Sequence, residues 1–179
     1  LDWHSFRQAD TASVTREYLK NDQLDLLHPQ YQDLSNIQSG LENPEGYRMV
    51  ELPFINVLIA QFLRFSQSLG FNFDLVIVSR LFSVLASLVA IYCLYRLIEL
   101  IDNRKLALLS ALIYAILPYA VYYGRAILPE PFMLAFSLLS LWQWAEYCQK
   151  LSLTSNNLKK GRVLHYLLAL LALTLASLL

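Results

Sequence analysis

The sequence predicts an all-α fold: a polytopic membrane helical bundle with an outer loop domain of short juxtamembrane helices. Three observations carry that prediction. Of the 179 residues, 56% are hydrophobic and 16% charged, against about 45–50% and about 25% in soluble domains. Several apolar runs near the roughly 20 residues needed to cross a bilayer follow one another after residue 73. The first 72 residues are different in kind, polar and aromatic with turn signals, so the chain divides into a loop region, 1–72, and a membrane region, 73–179.

Ser5 to Gln8 has the spacing of a capping box, which predicts a helix from Phe6 to Leu19 with Asp10 in its early turns. A loop rich in Asn, Gly, Pro and Asp follows, from Asn21 to Gly46. Pro53 then opens a helix over 54–65. Phe54, Leu58, Phe62 and Phe65 line one face of it, and it is too short to span, so it reads as interfacial.

The membrane helices are predicted at about 75–98, 106–122, 132–147 and 164–179. Leu106 to Leu117 is apolar almost all round apart from Ser110, where a soluble helix would keep a polar face. Arg96, Arg104 and Lys105 cluster at the first hinge, and Lys150, Lys159, Lys160 and Arg162 at the third. The positive-inside rule makes those loops cytoplasmic. Residues 1–72 and the loop from Tyr122 to Pro131 then share the opposite side.

The chain begins at Leu1 rather than Met and stops inside an apolar run, so it is expected to be the amino-terminal part of a longer protein. No basic segment followed by an apolar core marks a signal peptide. Lys plus Arg and Asp plus Glu each number 14, which leaves no basic footprint for nucleic acid. Cys93 and Cys148 lie in or beside apolar runs without metal-ligand spacing and read as packing residues.

Three carboxylates stand at expected helix starts on the outer side: Asp10, Glu51 and Glu130. Grouped carboxylates supply hard oxygen ligands for a divalent cation, and a single one can take the proton of an attacking hydroxyl. Each also has a plainer reading. Asp10 can stabilise a helix start, Glu51 can be a solvated loop residue, and Glu130 before Pro131 can favour the positive helix end by about 0.3–1 kcal/mol. Arg125, in Tyr122-Tyr123-Gly124-Arg125, can clamp a phosphate bidentately or reach for headgroups. Arg80 lies just inside an apolar run, where charge is expensive, and is expected to pair with an outer carboxylate. His4, His28 and His165 show no metal spacing, and no Gly-rich phosphate loop, nucleophile elbow or zinc-protease pair occurs.

In order, Arg7-Gln8-Ala9-Asp10-Thr11, Glu51-Leu52-Pro53, Ser79-Arg80-Leu81, and Tyr123-Gly124-Arg125 through Pro129-Glu130-Pro131 resemble the polyprenyl-phosphate-dependent glycosyltransferases of the C-type membrane fold. The resemblance is to the protein mannosyltransferase and aminoarabinose transferase superfamily and covers nearly the whole chain. It implies transfer of a sugar from a polyprenyl-phosphate donor to a glycan, lipid or protein acceptor on the extracytoplasmic side, in a multi-pass protein of the bacterial plasma (inner) membrane whose site faces the periplasm or exterior. It assigns Asp10 as the catalytic carboxylate, Glu51 and Glu130 as ligands to a divalent metal (Mg, Mn or Zn), and Arg7, Arg80, Tyr123 and Arg125 to substrate binding. Two departures stand out: the family's Lys-Pro-Pro step is Leu52-Pro53-Phe54, and its paired acidic residues are reduced to Asp10 followed by Thr11. The rival readings are a lipid or solute transporter or flippase, which usually binds substrate at the midplane on broken helices, and a non-catalytic membrane subunit.

Overall fold

A computed structural model describes residues 4–21, 25–31, 43–48, 51–151 and 159–179. Their elements are helices α1 (Ser5–Lys20), α2 (Phe54–Ser68), α3 (Leu75–Ile101), α4 (Arg104–Ile116), α5 (Pro118–Tyr123), α6 (Glu130–Leu151) and α7 (Lys159–Leu178). Among the described residues there is no strand beyond one isolated antiparallel bridge, Gln30 to Tyr47. The fold is all-α. Much of the loop expected between Asn21 and Gly46, most of the linker at 151–161, and the side chains of Lys159 and Lys160 lie outside the described residues.

Contacts divide the chain into two units. The first holds residues 1–82, the segment Ala126–Pro129 and Leu179; the second holds Ser83–Arg125 and Glu130–Leu178.

In the first unit, α1 packs on α2. Val14 and Tyr18 meet Ala60 with Leu19, Tyr31 and Val57 around them. Ile59 and Leu63 meet Val78, with Ile55, Leu75 and Phe82 beside them. Burying a side chain such as Leu63 stabilises by about 1.5–3 kcal/mol. The two helices are built differently. α2 buries Ile59, Ala60, Leu63 and Ser66 and leaves Leu58, Phe62 and Phe65 on an exposed apolar face. α1 buries Gln8, Asp10 and Thr15 beside Ala12, Val14 and Tyr18, so polar bonds must hold much of its inner stripe.

The start of α1 differs from the expected capping box. The N-cap is His4, in the left-handed region at φ 57° and without a side-chain cap bond; its carbonyl accepts from the Gln8 N–H at 3.0 Å. The Gln8 side chain also reaches the Ile127 N–H.

The second unit carries an inside-out pattern. Most of its buried positions are small, including Ala90, Cys93, Ala107, Ala169 and Ala172, with Phe132 and Gln143 as larger exceptions, while Leu88, Leu112 and Leu171 are 56–58% exposed. Small residues let helices approach closely, and lipid removes the penalty for leaving leucine outside. Within α6 and α7, the Ser140 hydroxyl donates to the Ala169 carbonyl at 2.9 Å. Among the described residues, Leu75–Ile101 and Gly161–Leu178 are the helices long and apolar enough to cross a membrane.

The apolar run expected at 106–122 is not one helix. α4 ends at Ile116 and α5 begins at Pro118, with Leu117 extended at ψ 123°. The ring of Pro118 bars Leu117 from the helical region and removes a backbone donor. At the other end, the Asn103 side chain caps α4 by accepting from the Leu106 N–H at 2.9 Å.

Candidate functional site

The first unit gathers charge on α1. Arg7 and Asp10 stand three residues apart, so their side chains project on neighbouring parts of one helix face. Each finds an opposite charge far away in sequence. Arg7 Nη2 donates to Glu51 Oε1 at 2.7 Å, and Arg48 Nη1 donates to Asp10 Oδ2.

Local chemistry delivers these partners. Asn43 closes a turn by accepting from the Tyr47 N–H and donating to the Tyr47 carbonyl. Gly46 sits at φ 65°, a conformation natural to glycine. The strip that follows pairs with 29–31, through Tyr31 N–H to Gly46 O and Arg48 N–H to Pro29 O. That fixes Arg48 beside α1, its guanidinium also 5.6 Å from the centre of the Tyr31 ring, within cation–π range. Glu51 is held by the next step, where the Pro53 carbonyl accepts from the Val57 N–H and starts α2.

The two ion pairs differ in solvation. The Arg48 and Asp10 side chains are 9% and 12% exposed, a nearly buried pair. Those of Arg7 and Glu51 are 42% and 20% exposed. A small gap of about 10 Å³ lies between them, lined by Thr11, Val14, Arg48, Glu51 and Asn56 among others. That is room for about one water.

Uncharged contacts brace the cluster. Asn56 donates from α2 to the Thr11 carbonyl at 2.8 Å and to the Thr15 hydroxyl at 3.0 Å. Arg64 donates to the carbonyls of Tyr18 and Asn21, closing the end of α1. Gln8 Oε1 accepts from the Ile127 N–H at 3.3 Å. The segment Ala126–Pro129, within the loop expected between α5 and α6, thus docks on α1, with Ala126, Ile127 and Leu128 buried.

The remaining sequence candidates are placed as follows. Arg80 is exposed on the second turn of α3. Glu130, half-buried, is the first residue of α6 and its first-turn acid. Arg125 is exposed just past α5. Tyr123 ends α5 with its ring 4.4 Å from that of Tyr119 and 5.2 Å from that of Tyr122; burial, then these neighbours, push its phenol above the ordinary value. Glu130, Arg125 and Tyr123 belong to the second unit. There, Gly124 allows close approach: a Cβ on it would stand 2.7 Å from both Ser87 Oγ and Ala120 O.

No three His, Cys, Asp or Glu residues among the described residues stand together as ligands. Glu51, one of the two expected ligands, is engaged by a guanidinium instead, and a positive partner opposes a second positive charge.

Arg48 and Asn56 belong to this cluster and were passed over by sequence reasoning, while Gln8 was read there as part of a capping box and of the Arg7–Thr11 motif. Asn56 had a signal, a lone amide near the start of an apolar helix. Arg48 had none, since it meets Asp10 across 38 residues and no periodicity links them.

A family model for dolichyl-phosphate-mannose-protein mannosyltransferases matches residues 56–179. It thus covers α3 to α7 and nearly all of α2, and stops short of the segment that carries Arg7, Asp10, Arg48 and Glu51. No curated protein matches, and no solved structure matches. On a match of that extent, joined to an all-α membrane architecture, the chain belongs to the dolichyl-phosphate-mannose-protein mannosyltransferase family, a family of membrane glycosyltransferases.

Proposed function

We propose that the protein moves a sugar from a polyprenyl-phosphate donor to an acceptor hydroxyl on the extracytoplasmic face of a multi-pass membrane bundle, with Asp10 as the base. The observation that carries this reading is the pair of carboxylate–guanidinium contacts on α1, Asp10 with Arg48 and Glu51 with Arg7. Such a group holds both components that transfer from a phosphate needs. A carboxylate can accept the acceptor's proton, a contribution of about 10²–10⁴ in rate. Guanidinium groups can stabilise the departing phosphate through paired N–H donors.

In the step proposed, the acceptor oxygen attacks the anomeric carbon as the bond from that carbon to the phosphate oxygen breaks. The proton passes to Asp10, and polyprenyl phosphate leaves with the electron pair. In the closed arrangement the gap holds about one water, so the incoming phosphate must first take Arg48 or Arg7 from its carboxylate. That exchange both seats the phosphate and uncovers the base. Arg125, Arg80 and Tyr123 are further candidates for donor contact, and Glu130 for orienting the acceptor. No metal takes part in the step as written.

Sidedness is supported by the basic hinges of the sequence and by the docking of Ala126–Pro129 on α1. On this reading the segment Ala126–Pro129 and the amino-terminal segment share one side. The exposed face of α2, with Leu58, Phe62 and Phe65, suits a helix lying at the membrane surface.

The test is transfer of labelled sugar from a polyprenyl-phosphate donor by the full-length protein in nanodiscs. Asp10→Asn keeps an acceptor for Arg48 but removes the basic carboxylate. It should lower kcat by at least about a hundredfold at a temperature where the variant stays folded, with membrane insertion intact; the melting temperature should fall, because the nearly buried Arg48 loses its counter-charge. Undiminished transfer by that variant would remove Asp10 from the mechanism.

A further inference from the structure

Away from the ion pairs, the other end of α1 borders a cavity of about 560 Å³, within the 300–1,000 Å³ typical of small-molecule sites. Its walls come from the last turn of α1 and from the two paired strips at 29–31 and 46–48. Tyr18, Asn21, Gln30 and Tyr47 line it beside Glu17, Lys20, Asp25 and His28.

The charged groups on this wall are hydrogen-bonded within it, and the His28–Asp25 contact is a charge pair only when the imidazole is protonated. Lys20 Nζ meets Glu17 Oε1 at 2.8 Å, and His28 Nδ1 meets Asp25 Oδ2 at 2.8 Å. Asp25 is further committed as acceptor to the Leu27 and His28 N–H groups. The hydrogen bond from His28, then those from the backbone, hold its carboxyl below the usual carboxylate range. Tyr18 donates its hydroxyl to the Asp25 carbonyl, and burial, with Asp25 next, pushes that phenol up to about 12. A wall of this kind offers an anion no uncompensated positive charge. It offers amides, hydroxyls and carboxylate oxygens of mixed donor and acceptor character. An aromatic group comes with them, since Tyr47 is 39% exposed and its ring centre lies 5.8 Å from that of His28.

We infer that this cavity binds a neutral saccharide unit, as the subsite that holds the acceptor during transfer. Hydroxyl-rich, uncharged rings need many mixed hydrogen-bond partners and an amphipathic aromatic surface, and the wall supplies both. The acceptor role rests on the transferase reading above; the binding does not. Gln30 is set by its own bond to the Glu45 carbonyl at 3.1 Å, and the strips are joined by backbone bonds. The wall is therefore preformed without the Tyr47 side chain.

The experiment uses the full-length protein in nanodiscs and measures binding of cellobiose and chitobiose by saturation-transfer NMR, with glucuronic acid and glucosamine as charged comparisons. The neutral sugars should bind and glucuronic acid should not. Tyr47→Ala should weaken the neutral sugars about tenfold, the loss of one aromatic contact, while Tyr47→Phe keeps them. Lys20→Ala, which leaves Glu17 uncompensated, should strengthen glucosamine binding, a gain that mere structural damage does not produce. In transfer assays Tyr47→Ala should raise the acceptor KM and leave kcat unchanged. Absence of neutral-sugar binding, or binding indifferent to Tyr47→Ala, overturns the inference. Tyr47-dependent binding in a protein that transfers no sugar sustains the site and overturns the transferase reading instead.

Discussion

The two units of this chain solve opposite solvent problems. In the first, polar groups go inward and are matched across long stretches of sequence: Asp10 with Arg48, Asn56 with Thr11 and Thr15, Gln8 with Ile127. In the second, alanine and serine go inward and leucine stays out. Its main charge cluster sits at one end of the helices. There, Glu146 approaches Lys150 at 3.4 Å and Arg96 at 3.9 Å, and His165 contacts Gln143 and Lys150. The lesson is that apolar composition alone does not describe this protein. Polar pairs spanning distant stretches of sequence mark the first unit, and in the second the main charge cluster is confined to one end of its helices.

The largest expected effect breaks the first side of that comparison. Arg48→Ala leaves Asp10 nearly buried beside no guanidinium. Removing one partner of a buried pair costs about 3–5 kcal/mol, so the first unit should open, read as faster hydrogen exchange along α1. Replacing both residues with apolar ones of similar volume, Asp10→Leu with Arg48→Met, should recover most of that stability. If the single change leaves exchange on α1 as it was, the pair does not hold the unit together.

Next comes the second unit's lipid face. Leu171 is 57% exposed near the middle of α7. In water an exposed leucine tolerates Asp with little loss, within about 0.5 kcal/mol. In a bilayer, Leu171→Asp should cost about 2.5–3.5 kcal/mol. A membrane-insertion assay on the full-length protein separates the two, and unimpaired insertion of α7 would take that face out of lipid.

How much of this division could be read in advance differs by unit. The long apolar runs announced α3 and α7 directly, because lipid solvation is written in local composition. The break at Leu117 had a local signal too, in Pro118, but the apolar run on either side outweighed it. The first unit was harder. Asp10 and Glu51 stood out by residue type and helix-start context, and Arg7 was singled out for substrate rather than for Glu51. Contacts spanning 38–45 residues leave no trace in periodicity, so Arg48 and Asn56 emerge only once the turn at Asn43–Gly46 and the packing of α1 on α2 are built.

A pair of hydrogen bonds sharpens the contrast more finely. Asn56→Ala removes two bonds between α1 and α2 in the first unit, to the Thr11 carbonyl and the Thr15 hydroxyl, at about 0.5–1.5 kcal/mol each, while the Thr11 carbonyl keeps the Thr15 hydroxyl as a donor. Ser140→Ala removes the bond to the Ala169 carbonyl in the second. Between membrane helices such bonds average only about 0.6 kcal/mol, because that carbonyl is already bonded within its helix and close packing carries the contact. Thermal unfolding of both variants in one nanodisc preparation should rank them in that order. The reverse order would mean that α6 and α7 depend on polar specificity as the first unit does.

The smallest effect on stability tests whether the first unit's charges exist for structure or for chemistry. The Arg7–Glu51 pair is half exposed on the arginine side, and water screens it, so it adds about 0–1 kcal/mol. Glu51→Gln preserves shape and an acceptor for Arg7 and should shift the melting temperature little. If Glu51 helps to position a phosphate-binding guanidinium, the same change should lower transfer by at least about tenfold, a difference near 1.4 kcal/mol in the barrier. The two readouts must separate for that claim to stand. A drop in both in proportion would make the pair a brace for α1, and loss of neither would leave Asp10 and Arg48 as the only charges in the site with work to do.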